Sequence, residues 1–304
     1  MTLGFVVLSH DRPGQVARLV RRLVHLYGAP VVVHHDFSKS RLDATAFQDL
    51  PVRFVQPHVV TAWGGVSVSE ALLRALSDLY TWHDPDWFFV LSASDYPIVA
   101  CGELVEQLTR APWDAFLDHR RIAYESVPTW SDQPSGRPYG FNAREYPALA
   151  YDRYVSVHWR DVPSVTRRLQ PTRRHIVLRR PWITRWTSPF RGDLECYAGE
   201  TWLSGNRRAA GLLTTPSPVR DRLMAYYRRR ENADESFIHT LLCNSTLRIN
   251  PDHRRYIDWS APVQHPRTLG IGDVDAMLAS GRWFARKFME DDAVLDALDA
   301  AVRD

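Results

Sequence analysis

The fold of this chain is decided by its opening stretch, residues 3–11 (LGFVVLSHD), in which an apolar run ends in three polar residues. An uninterrupted apolar run of this length is typical of a strand that is covered on both faces. Pro13 then opens a segment with apolar residues at helical spacing, and Gly28 closes it, as expected of a helix that starts with proline and stops at glycine. The stretch therefore predicts a buried strand followed by an amphipathic helix.

The same alternation continues along the first third of the chain. Short apolar runs at residues 31–33, 52–55 and 87–91 predict three more strands, and a second amphipathic helix is predicted at residues 71–79. The resulting order, β-α-β-β-α-β, indicates an α/β fold with an open, mostly parallel sheet flanked by helices.

Polar clusters follow all four predicted strands. They are Ser9-His10-Asp11, His34-His35-Asp36, Thr61-Ala62-Trp63-Gly64-Gly65 and Ser92-Ala93-Ser94-Asp95. Because parallel strands end at one edge of their sheet and ligands bind beyond that edge, we expect the four clusters to form one binding site. Within it, Asp36 is suited to hydrogen-bond a ribose or a base; the alternative is a carboxylate that caps a turn.

Composition argues against several classes of protein. The 304 residues, 45% of them apolar, suffice for one large domain or two smaller ones. Neither Gly-x-Gly-x-x-Gly nor a P-loop follows the first strand, which argues against a dinucleotide oxidoreductase and a P-loop NTPase. The net charge of +3 is small for a general nucleic-acid binder. We therefore expect no nucleic-acid partner.

The sequence also bears on location. No run of eighteen apolar residues occurs, and the first residues carry neither a basic region nor a cleavage signature, so we expect no membrane span and no signal peptide. Cys101, Cys196 and Cys243 are odd in number and widely spaced, which argues against a disulfide framework or a zinc site. A cytoplasmic location is the expectation that follows.

Lysine is rare in this chain and marks two segments. Lys39 and Lys287 are the only lysines among 38 basic residues. A lysine ammonium is a compact point charge that binds phosphate oxygens without the planar fork of arginine. Lys287 follows Arg286 between two phenylalanines, which favours a phosphate contact. The alternatives to phosphate binding are that Lys39 is an exposed turn residue and that Lys287 is a helix cation whose stem packs on apolar surface while its charge stays in water.

An Arg-rich segment occupies residues 167–191. It holds eight arginines and no acidic residue, interleaved with Trp182, Trp186 and Phe190. Such a composition is compatible with a nucleic-acid surface, with contact to an anionic acceptor or a membrane surface, or with a solvated or core-packed loop. The pattern favours the last of these and leaves the others open.

Two adjacent carboxylates precede an apolar stripe in the second half. Asp234 is expected to cap a helix at residues 235–242, which puts Glu235 in its first turn. There the helix dipole would stabilise the carboxylate and make it a weaker base. A simple first-turn acid is one interpretation, and only an apolar surrounding would raise the pKa of Glu235.

An ordered series of motifs resembles a known enzyme family. In chain order the motifs are His35-Asp36 with Lys39-Ser40, residues 63–67 (WGGVS), residues 91–97 (LSASDYP), residues 235–245 (ESFIHTLLCNS), residues 256–259 (YIDW), His265-Pro266-Arg267 and residues 284–288 (FARKF). The series is similar to that of the core-2/I-branching β-1,6-N-acetylglucosaminyltransferases and the peptide O-xylosyltransferases, which form glycosyltransferase family 14. Each motif alone is weak, but the ordered set, which covers about residues 3 to 290, is specific.

The resemblance implies a GT-A fold and inverting transfer of a sugar from a UDP-sugar to an acceptor hydroxyl. It implies a single catalytic domain over residues 1–304, with a nucleotide-binding half at 1–120 and an acceptor and catalytic half at 121–304 that contains the Arg-rich segment. The donor sugar, N-acetylglucosamine or xylose, stays open, and so does the acceptor, a glycan, a peptide or a small molecule. The family's usual stem, membrane anchor and disulfide cysteines are missing, which suggests a soluble, bacterial-type relative.

The resemblance also assigns residues. Glu235 matches the catalytic base, and Asp36 matches the residue that binds the uridine part. The residues that match donor contacts or are candidates for them are Thr61, Ala62, Trp63, Thr201 and Trp202, with Ser9, His10 and Asp95 as further candidates. Arg267, Arg286 and Lys287 match the basic residues that hold the diphosphate. The family has an acid at the Thr201 position in xylosyltransferases and a helix directly after the Thr201–Trp202 pair.

The expected chemistry does not require a metal ion. Displacement at an anomeric carbon needs a base on the acceptor hydroxyl and positive charge at the departing UDP. Most GT-A enzymes hold a metal with Asp-x-Asp, but residues 92–95 provide one carboxylate, fewer than a divalent ion prefers. We therefore expect no metal and no cofactor, with Lys287 and Arg267 as fixed cations. The alternative from another class is a non-catalytic protein that binds nucleotide-sugars or polyanions, which would not need Glu235.

Overall fold

Four parallel strands, at the four positions in the chain that the sequence predicts, lie side by side and form one end of a seven-stranded sheet. The computed structural model describes residues 1–124, 147–165, 171–260, 266–289 and 292–303. Residues 167–170 of the predicted Arg-rich segment, which include Arg167 and Arg168, and His265 of the predicted motif series lie outside these ranges.

The strands are β1 (Leu3–Ser9), β2 (Val31–His35), β3 (Val52–Phe54), β4 (Trp87–Ser92), β5 (Asp95–Pro97), β6 (Ala115–Leu117), β7 (Arg120–Arg121), β8 (Val157–Val165), β9 (Pro171–Leu178), β10 (Tyr197–Ala198), β11 (Leu203–Asn206), β12 (Ile249–Asn250), β13 (Arg255–Ile257) and β14 (Phe284–Arg286). The α-helices are α1 (Pro13–Tyr27), α2 (Val66–Trp82), α3 (Cys101–Arg110), α4 (Pro147–Tyr154), α5 (Pro181–Thr187), α6 (Arg207–Thr214), α7 (Pro218–Tyr227), α8 (Phe237–Cys243), α9 (Val274–Ala279) and α10 (Asp292–Ala301).

The strand order of the large sheet is β12-β6-β11-β4-β1-β2-β3. Strands β1 to β4 pair in parallel, β12 pairs in parallel with β6, and β11 runs antiparallel to both of its neighbours. The predicted open, mostly parallel α/β sheet of the GT-A class is therefore confirmed. Two strands that sequence patterning missed, β13 and β14, form a separate three-stranded sheet with β5, in which β14 lies in the middle and pairs with both of the others.

Apolar cores cover both faces of the large sheet. Along β1, Phe5 and Val7 face the core that contains α1, α10 and β14, whereas Val6 faces the core that contains α2 and α8. This alternation follows from the two-residue period of a strand. It also explains the continuous apolar runs of the central strands, because neither face contacts water.

The first helix begins and ends where the sequence predicts. Pro13 is its first residue, and Gly28 follows it with a φ of 56° and donates its N–H to Val24 O at 2.9 Å. This left-handed position suits glycine because it carries no Cβ. No helix in the described part of the chain is both long enough and apolar enough to span a membrane.

Candidate active site

The four predicted polar clusters meet at the carboxyl edge of the sheet, where β1 to β4 end. Asp36 donates its backbone N–H to Ser9 O at 2.9 Å, and the Ser9 hydroxyl lies 2.9 Å from His35 Nδ1. Ala93 N–H bonds to Leu8 O at 3.2 Å. The contacts thus join the ends of β1, β2 and β4, and the prediction of one shared edge is confirmed.

Ser9 and His10, two candidates from the sequence, differ in exposure. Ser9 is buried, and its hydroxyl is occupied by His35. His10 is exposed, and its carbonyl accepts a hydrogen bond from the Ser40 hydroxyl at 2.9 Å. Between these two residues, His10 is the one whose side chain a ligand can reach.

Asp36 lies at the centre of a cluster of hydrogen-bonded polar groups beyond β2. Its fully buried carboxylate accepts hydrogen bonds from the N–H and hydroxyl of Ser38 at 3.1 and 2.6 Å, and from the N–H and hydroxyl of Thr61 at 2.7 and 2.8 Å. Burial raises the pKa of Asp36, but these hydrogen bonds together outweigh it and hold the pKa far below its ordinary value. Lys39 Nζ lies 3.7 Å from the carboxylate and donates to the Thr61 hydroxyl at 3.2 Å. Asp36 is therefore a permanently charged acceptor.

The loop after β3 connects Asp36 to the turn that carries the predicted base. Thr61 is bound to Asp36, and Ala62 O accepts the N–H of Gly65 at 2.9 Å. Gly64 adopts a φ of 68° and accepts the N–H of Ala233 at 2.8 Å. Trp63, at the tip of this loop, exposes 75% of its surface. One short loop thus contacts both the predicted uridine-binding residue and the turn that carries Glu235.

Glu235 lies in a 3-10 turn, Ala233–Glu235, and α8 begins only at Phe237. The predicted helix start at Asp234 is therefore wrong, since the chain makes the tighter turn before the helix. Because Glu235 precedes α8, the predicted stabilisation by a first-turn position does not apply. Asp234 caps nothing, and its Oδ1 is buried without a hydrogen-bond partner in the described structure.

The surroundings of Glu235 favour its neutral form. Burial and the charge of Asp234 raise the pKa of Glu235 to about 8, against a smaller opposing effect of Arg153. Burial also raises the pKa of Asp234 to about 6. The buried Tyr154 hydroxyl lies 3.5 Å from Glu235 Oε2. A carboxyl group with a pKa near 8 is a suitable acceptor for a proton near neutral pH.

The basic half of the site comes from the small sheet. Arg286 on β14 pairs in register with Asp95 on β5, and its Nη1 lies 3.3 Å from Asp95 Oδ1. The guanidinium carbon lies 3.9 Å from the centre of the Trp202 ring, a cation–π contact that fixes its position. Asp95 Oδ2 accepts the N–H of Ser92 at 2.6 Å. Trp202, Arg286 and Asp95, predicted separately, are thus brought together.

The Lys287 ammonium group has no hydrogen-bond or ion-pair partner among the residues that the structure describes. Burial, and then the charges of Arg12 and Arg286, lower its pKa. Arg12, which sequence analysis missed, reaches the same place from the end of β1 and donates to the Ser94 hydroxyl at 3.3 Å. The only hint in the sequence is its position, directly after a polar cluster and before Pro13. Three cations therefore face one another here.

Arg267 differs from these cations because carboxylates already surround it. Its guanidinium contacts Asp273 at 2.6 and 3.0 Å and Asp258 at 2.7 Å. Its segment nevertheless lies beside Lys287, since Leu269 donates its N–H to Lys287 O at 2.9 Å. Arg267 is therefore close to the predicted diphosphate site but has its charge compensated.

Glu200, a second residue that sequence analysis missed, links the two halves of the site. Its carboxylate accepts hydrogen bonds from His253 Nε2 at 3.0 Å and from Trp259 Nε1 at 3.2 Å. Burial raises its pKa, but these bonds and the charge of Arg286 lower it overall, and its own charge contributes to the raised pKa of Glu235. Its only signal in the sequence is its position next to Thr201.

Thr201 and Trp202 follow Glu200 and precede strand β11, not a helix. The prediction that a helix directly follows the Thr201–Trp202 pair is therefore wrong for this chain, because the four residues of β11 separate the pair from α6. Thr201 is half-buried next to Trp202.

No three His, Cys, Asp or Glu side chains come together in a way that could hold a metal ion, as far as the described residues extend. Asp95, the carboxylate nearest to the usual metal position of the fold class, faces Arg286 instead.

Comparison of the sequence with known proteins identifies one enzyme family and several relatives. The sequence profile of the Core-2/I-Branching enzyme family matches residues 3–127 and 154–279. The β-glucuronosyltransferases GlcAT14B and GlcAT14A of Arabidopsis thaliana are each 28% identical to the chain and cover 98% and 97% of it. Xylosyltransferase 1 of Homo sapiens is 31% identical over 114 residues, which are 36% of this chain and 12% of that protein.

The chain spans 65% and 63% of the length of the two plant relatives. These relatives come from a plant and an animal, and so the expected bacterial type of relative is not borne out.

Proposed function

This chain belongs to the Core-2/I-Branching enzyme family, and from that premise we propose that it is an inverting glycosyltransferase that moves a sugar from a UDP-sugar to an acceptor hydroxyl. Glu235 is the general base. It takes the proton of the acceptor hydroxyl while the oxygen attacks the anomeric carbon. The bond to the diphosphate breaks at the same time, and its electron pair leaves with UDP.

This proposal rests on one observation: the site contains a carboxyl group with a raised pKa on one side and a group of cations on the other. On one side stands Glu235, whose pKa is raised to about 8 by burial and by Asp234. On the other stand Arg12, Arg286 and Lys287, cations next to the end of β1. A base opposite fixed positive charge is what displacement of a diphosphate requires.

The donor is held along the carboxyl edge in this proposal. Asp36 binds the uridine part, with the Thr61–Trp63 loop over it, and Lys287 and Arg286 receive the diphosphate. Asp36 is fully buried, and its carboxylate already accepts four hydrogen bonds from Ser38 and Thr61, which fill its acceptor sites. In this proposal it therefore contributes to uridine binding by fixing Ser38 and Thr61 next to the ligand.

The donor sugar lies near Thr201 and Trp202, between the diphosphate cations and Glu235. The relatives are named for glucuronic acid and xylose, and the family resemblance adds N-acetylglucosamine. We therefore propose the three UDP-sugars as the donor panel. The reaction needs no metal in this proposal, because Arg12, Arg286 and Lys287 provide the charge that a divalent ion would otherwise provide.

The alternative function is that of a non-catalytic protein that binds nucleotide-sugars or polyanions. Such a protein would not need two adjacent, half-buried carboxyl groups with raised pKa values, whereas an enzyme needs a group with a perturbed pKa as its base. The raised pKa of Glu235 therefore favours the enzyme.

The test is donor hydrolysis and transfer with the panel of UDP-sugars, in wild type and in Glu235→Gln. We expect one donor to raise the melting temperature and to be turned over by the wild type. The variant should keep its affinity for UDP while turnover falls by about 10²- to 10⁴-fold, the range for loss of a general base. Near wild-type turnover in the variant would remove Glu235 from the mechanism.

A stability control separates this loss from unfolding. Because the pKa of Glu235 is raised in the folded state, the folded protein favours the protonated carboxyl group. This group therefore contributes fully to folding stability at acid pH, and the contribution is lost as the pH rises through about 8. Above that pH the variant lacks the cost of a buried charge, and we expect it to melt no earlier than the wild type.

A further inference from the structure

Helix α5 presents an exposed aromatic and basic surface that includes none of the residues assigned to the candidate active site. Trp182 and Trp186 expose 69% and 77% of their surface, and their spacing of four residues puts both indoles on one side of the helix. Arg180 and Arg185 are exposed beside them and have no ion-pair partner in the described part of the chain. These four side chains are named here the Trp–Arg face.

The helix below this face is held firmly. Thr184, on its opposite side, is buried, and its hydroxyl lies 3.2 Å from the Tyr151 hydroxyl. At the end of the helix, Arg191 Nη2 donates to Trp186 O at 2.9 Å. The two indoles therefore stay exposed on a docked helix and do not fold back onto the core.

The chemistry of this surface matches a lipid headgroup region better than a sugar. Residues 181–191 (PWITRWTSPFR) include no Asp, Glu, Asn or Gln, the side chains that hydrogen-bond sugar hydroxyls in pairs. Tryptophan is enriched at the interface between lipid and water, and arginine is attracted to anionic headgroups. We propose that the Trp–Arg face binds the surface of an anionic lipid bilayer.

The length of α5 fits this mode of binding. Its seven residues extend ~10 Å at 1.5 Å per residue, so the helix lies along the interface with the indoles inserted and the guanidinium groups at the headgroups. Binding of this kind depends on apolar insertion and on the lipid charge together.

A short path joins the face to the candidate base. Arg179, directly before the face, forms two hydrogen bonds with Asp152 on α4 at 2.6 and 2.7 Å. Tyr154, at the end of the same helix, lies 3.5 Å from Glu235. Helix α4 therefore contacts both the segment that carries the Trp–Arg face and the candidate base. Membrane binding itself does not depend on the proposed function.

The experiment is co-sedimentation of the full chain with phosphatidylcholine vesicles, with and without phosphatidylglycerol. We expect binding that requires phosphatidylglycerol and weakens with salt. Arg180→Gln with Arg185→Gln should lower the affinity about 25-fold, which corresponds to about 1 kcal/mol per basic residue. Trp182→Ala with Trp186→Ala should lower it roughly tenfold or more, because two large apolar groups no longer insert.

A matched control variant loses the same two positive charges at arginines outside the Trp–Arg face. Arg110 is exposed at the end of α3, and Arg303 is exposed two residues after the end of α10. The buried residues of α3 and α10 pack in the core on the other face of the sheet. Arg110→Gln with Arg303→Gln should leave vesicle binding within about twofold of the wild type, since charges beyond a Debye length are largely screened. An equal loss in this control would show that net charge alone acts and would overturn the proposal.

Two other results would also overturn it: wild-type affinity in the tryptophan variant, or binding to the soluble polyanion heparin with none to anionic vesicles. Thermal melting of each variant shows whether it is folded, and the arginine variant changes only exposed groups, so the proposal stays testable if the tryptophan variant unfolds.

Discussion

Glu235 shows how much of a residue's chemistry depends on three-dimensional surroundings. Its local sequence suggests an acid in the first turn of a helix, where the dipole would lower the pKa. The tight turn before α8 removes that effect, and burial next to Asp234 raises the pKa to about 8. The sequence identifies the residue only through the family resemblance, because no local pattern reports how far a carboxyl group is buried.

This pKa predicts the pH dependence of activity. Only the ionised form of Glu235 can accept a proton, so kcat/KM should rise with pH and reach half of its maximum near pH 8. Asp234→Asn removes the negative neighbour and should move the midpoint to lower pH, by less than the whole shift because burial is the larger cause. The measurement is kcat/KM from acid to alkaline pH at constant ionic strength. Asp275→Asn, at an exposed position on α9, is the control, and an unchanged midpoint in Asp234→Asn would contradict the assignment.

Replacing Lys287 by alanine should affect UDP binding more strongly than replacing Arg267 by alanine. Lys287→Ala should weaken UDP far more than uridine and slow transfer roughly 100-fold or more, since it removes charge aimed at the leaving group. Arg267→Ala should lower UDP affinity less, because Asp258 and Asp273 already compensate its charge. Lys287→Arg should restore only part of the loss.

Titration calorimetry with UDP and uridine measures both affinities. Equal losses for the two ligands in Lys287→Ala would make Lys287 a packing residue. A larger UDP loss in Arg267→Ala than in Lys287→Ala would mean that donor binding breaks the ion pairs of Arg267.

At the scale of elements, the loop after β3 determines whether the two parts of the site act together. Gly64 has a φ of 68° and accepts the N–H of Ala233, two residues before Glu235. A donor that contacts Thr61 to Trp63 is therefore one hydrogen bond away from the turn that carries the base.

Gly64→Ala tests this connection. Alanine at a positive φ costs about 1 to 2 kcal/mol of stability, and a shifted loop should also weaken UDP and slow transfer. Gly28→Ala is the control, because Gly28 has a φ of 56° with nothing within 4 Å of the added Cβ, so its stability should fall by a similar amount while kcat/KM stays unchanged. Melting curves and kinetics measure the two effects, and an equal loss of kcat/KM in both variants would disprove the connection.

Elements that local patterning encodes were predicted, and those that depend on distant pairing were not. Strands β1 to β4 are continuous apolar runs, and α1 has Pro13 and Gly28 at its ends, so sequence alone suffices for them. Strand β14 is three residues long and reaches Asp95 from about 190 positions away in the sequence. Arg12 and Glu200 gain their roles from such pairings, which explains why the sequence did not reveal them.

For the whole molecule, the site lies where the coverings of the two sheet faces meet at the carboxyl edge. Lys287 and Arg286 come from the side of β14, which belongs to the core of α1 and α10, whereas Glu235 belongs to the side of α8 and the other core. Cations and base therefore approach the edge from opposite faces of one sheet. Glu200 connects the two halves electrostatically, because Arg286 lowers the pKa of Glu200 and the charge of Glu200 contributes to the raised pKa of Glu235.

This arrangement makes the strongest prediction about the reaction, its independence of metal. Asp95, the one carboxylate after β4, accepts Ser92 N–H and faces Arg286 at 3.3 Å, so a divalent ion there would have to displace a guanidinium and would gain a single protein ligand. Transfer by metal-stripped protein should continue in excess EDTA, and added Mg²⁺ or Mn²⁺ should change the rate by no more than roughly threefold. High salt should weaken UDP binding instead, because the diphosphate is held by partly exposed cations. The measurement is turnover of the responsive UDP-sugar with and without EDTA. Activity that is lost in EDTA and returns with Mn²⁺ would disprove the assignment and make Asp95 a metal ligand.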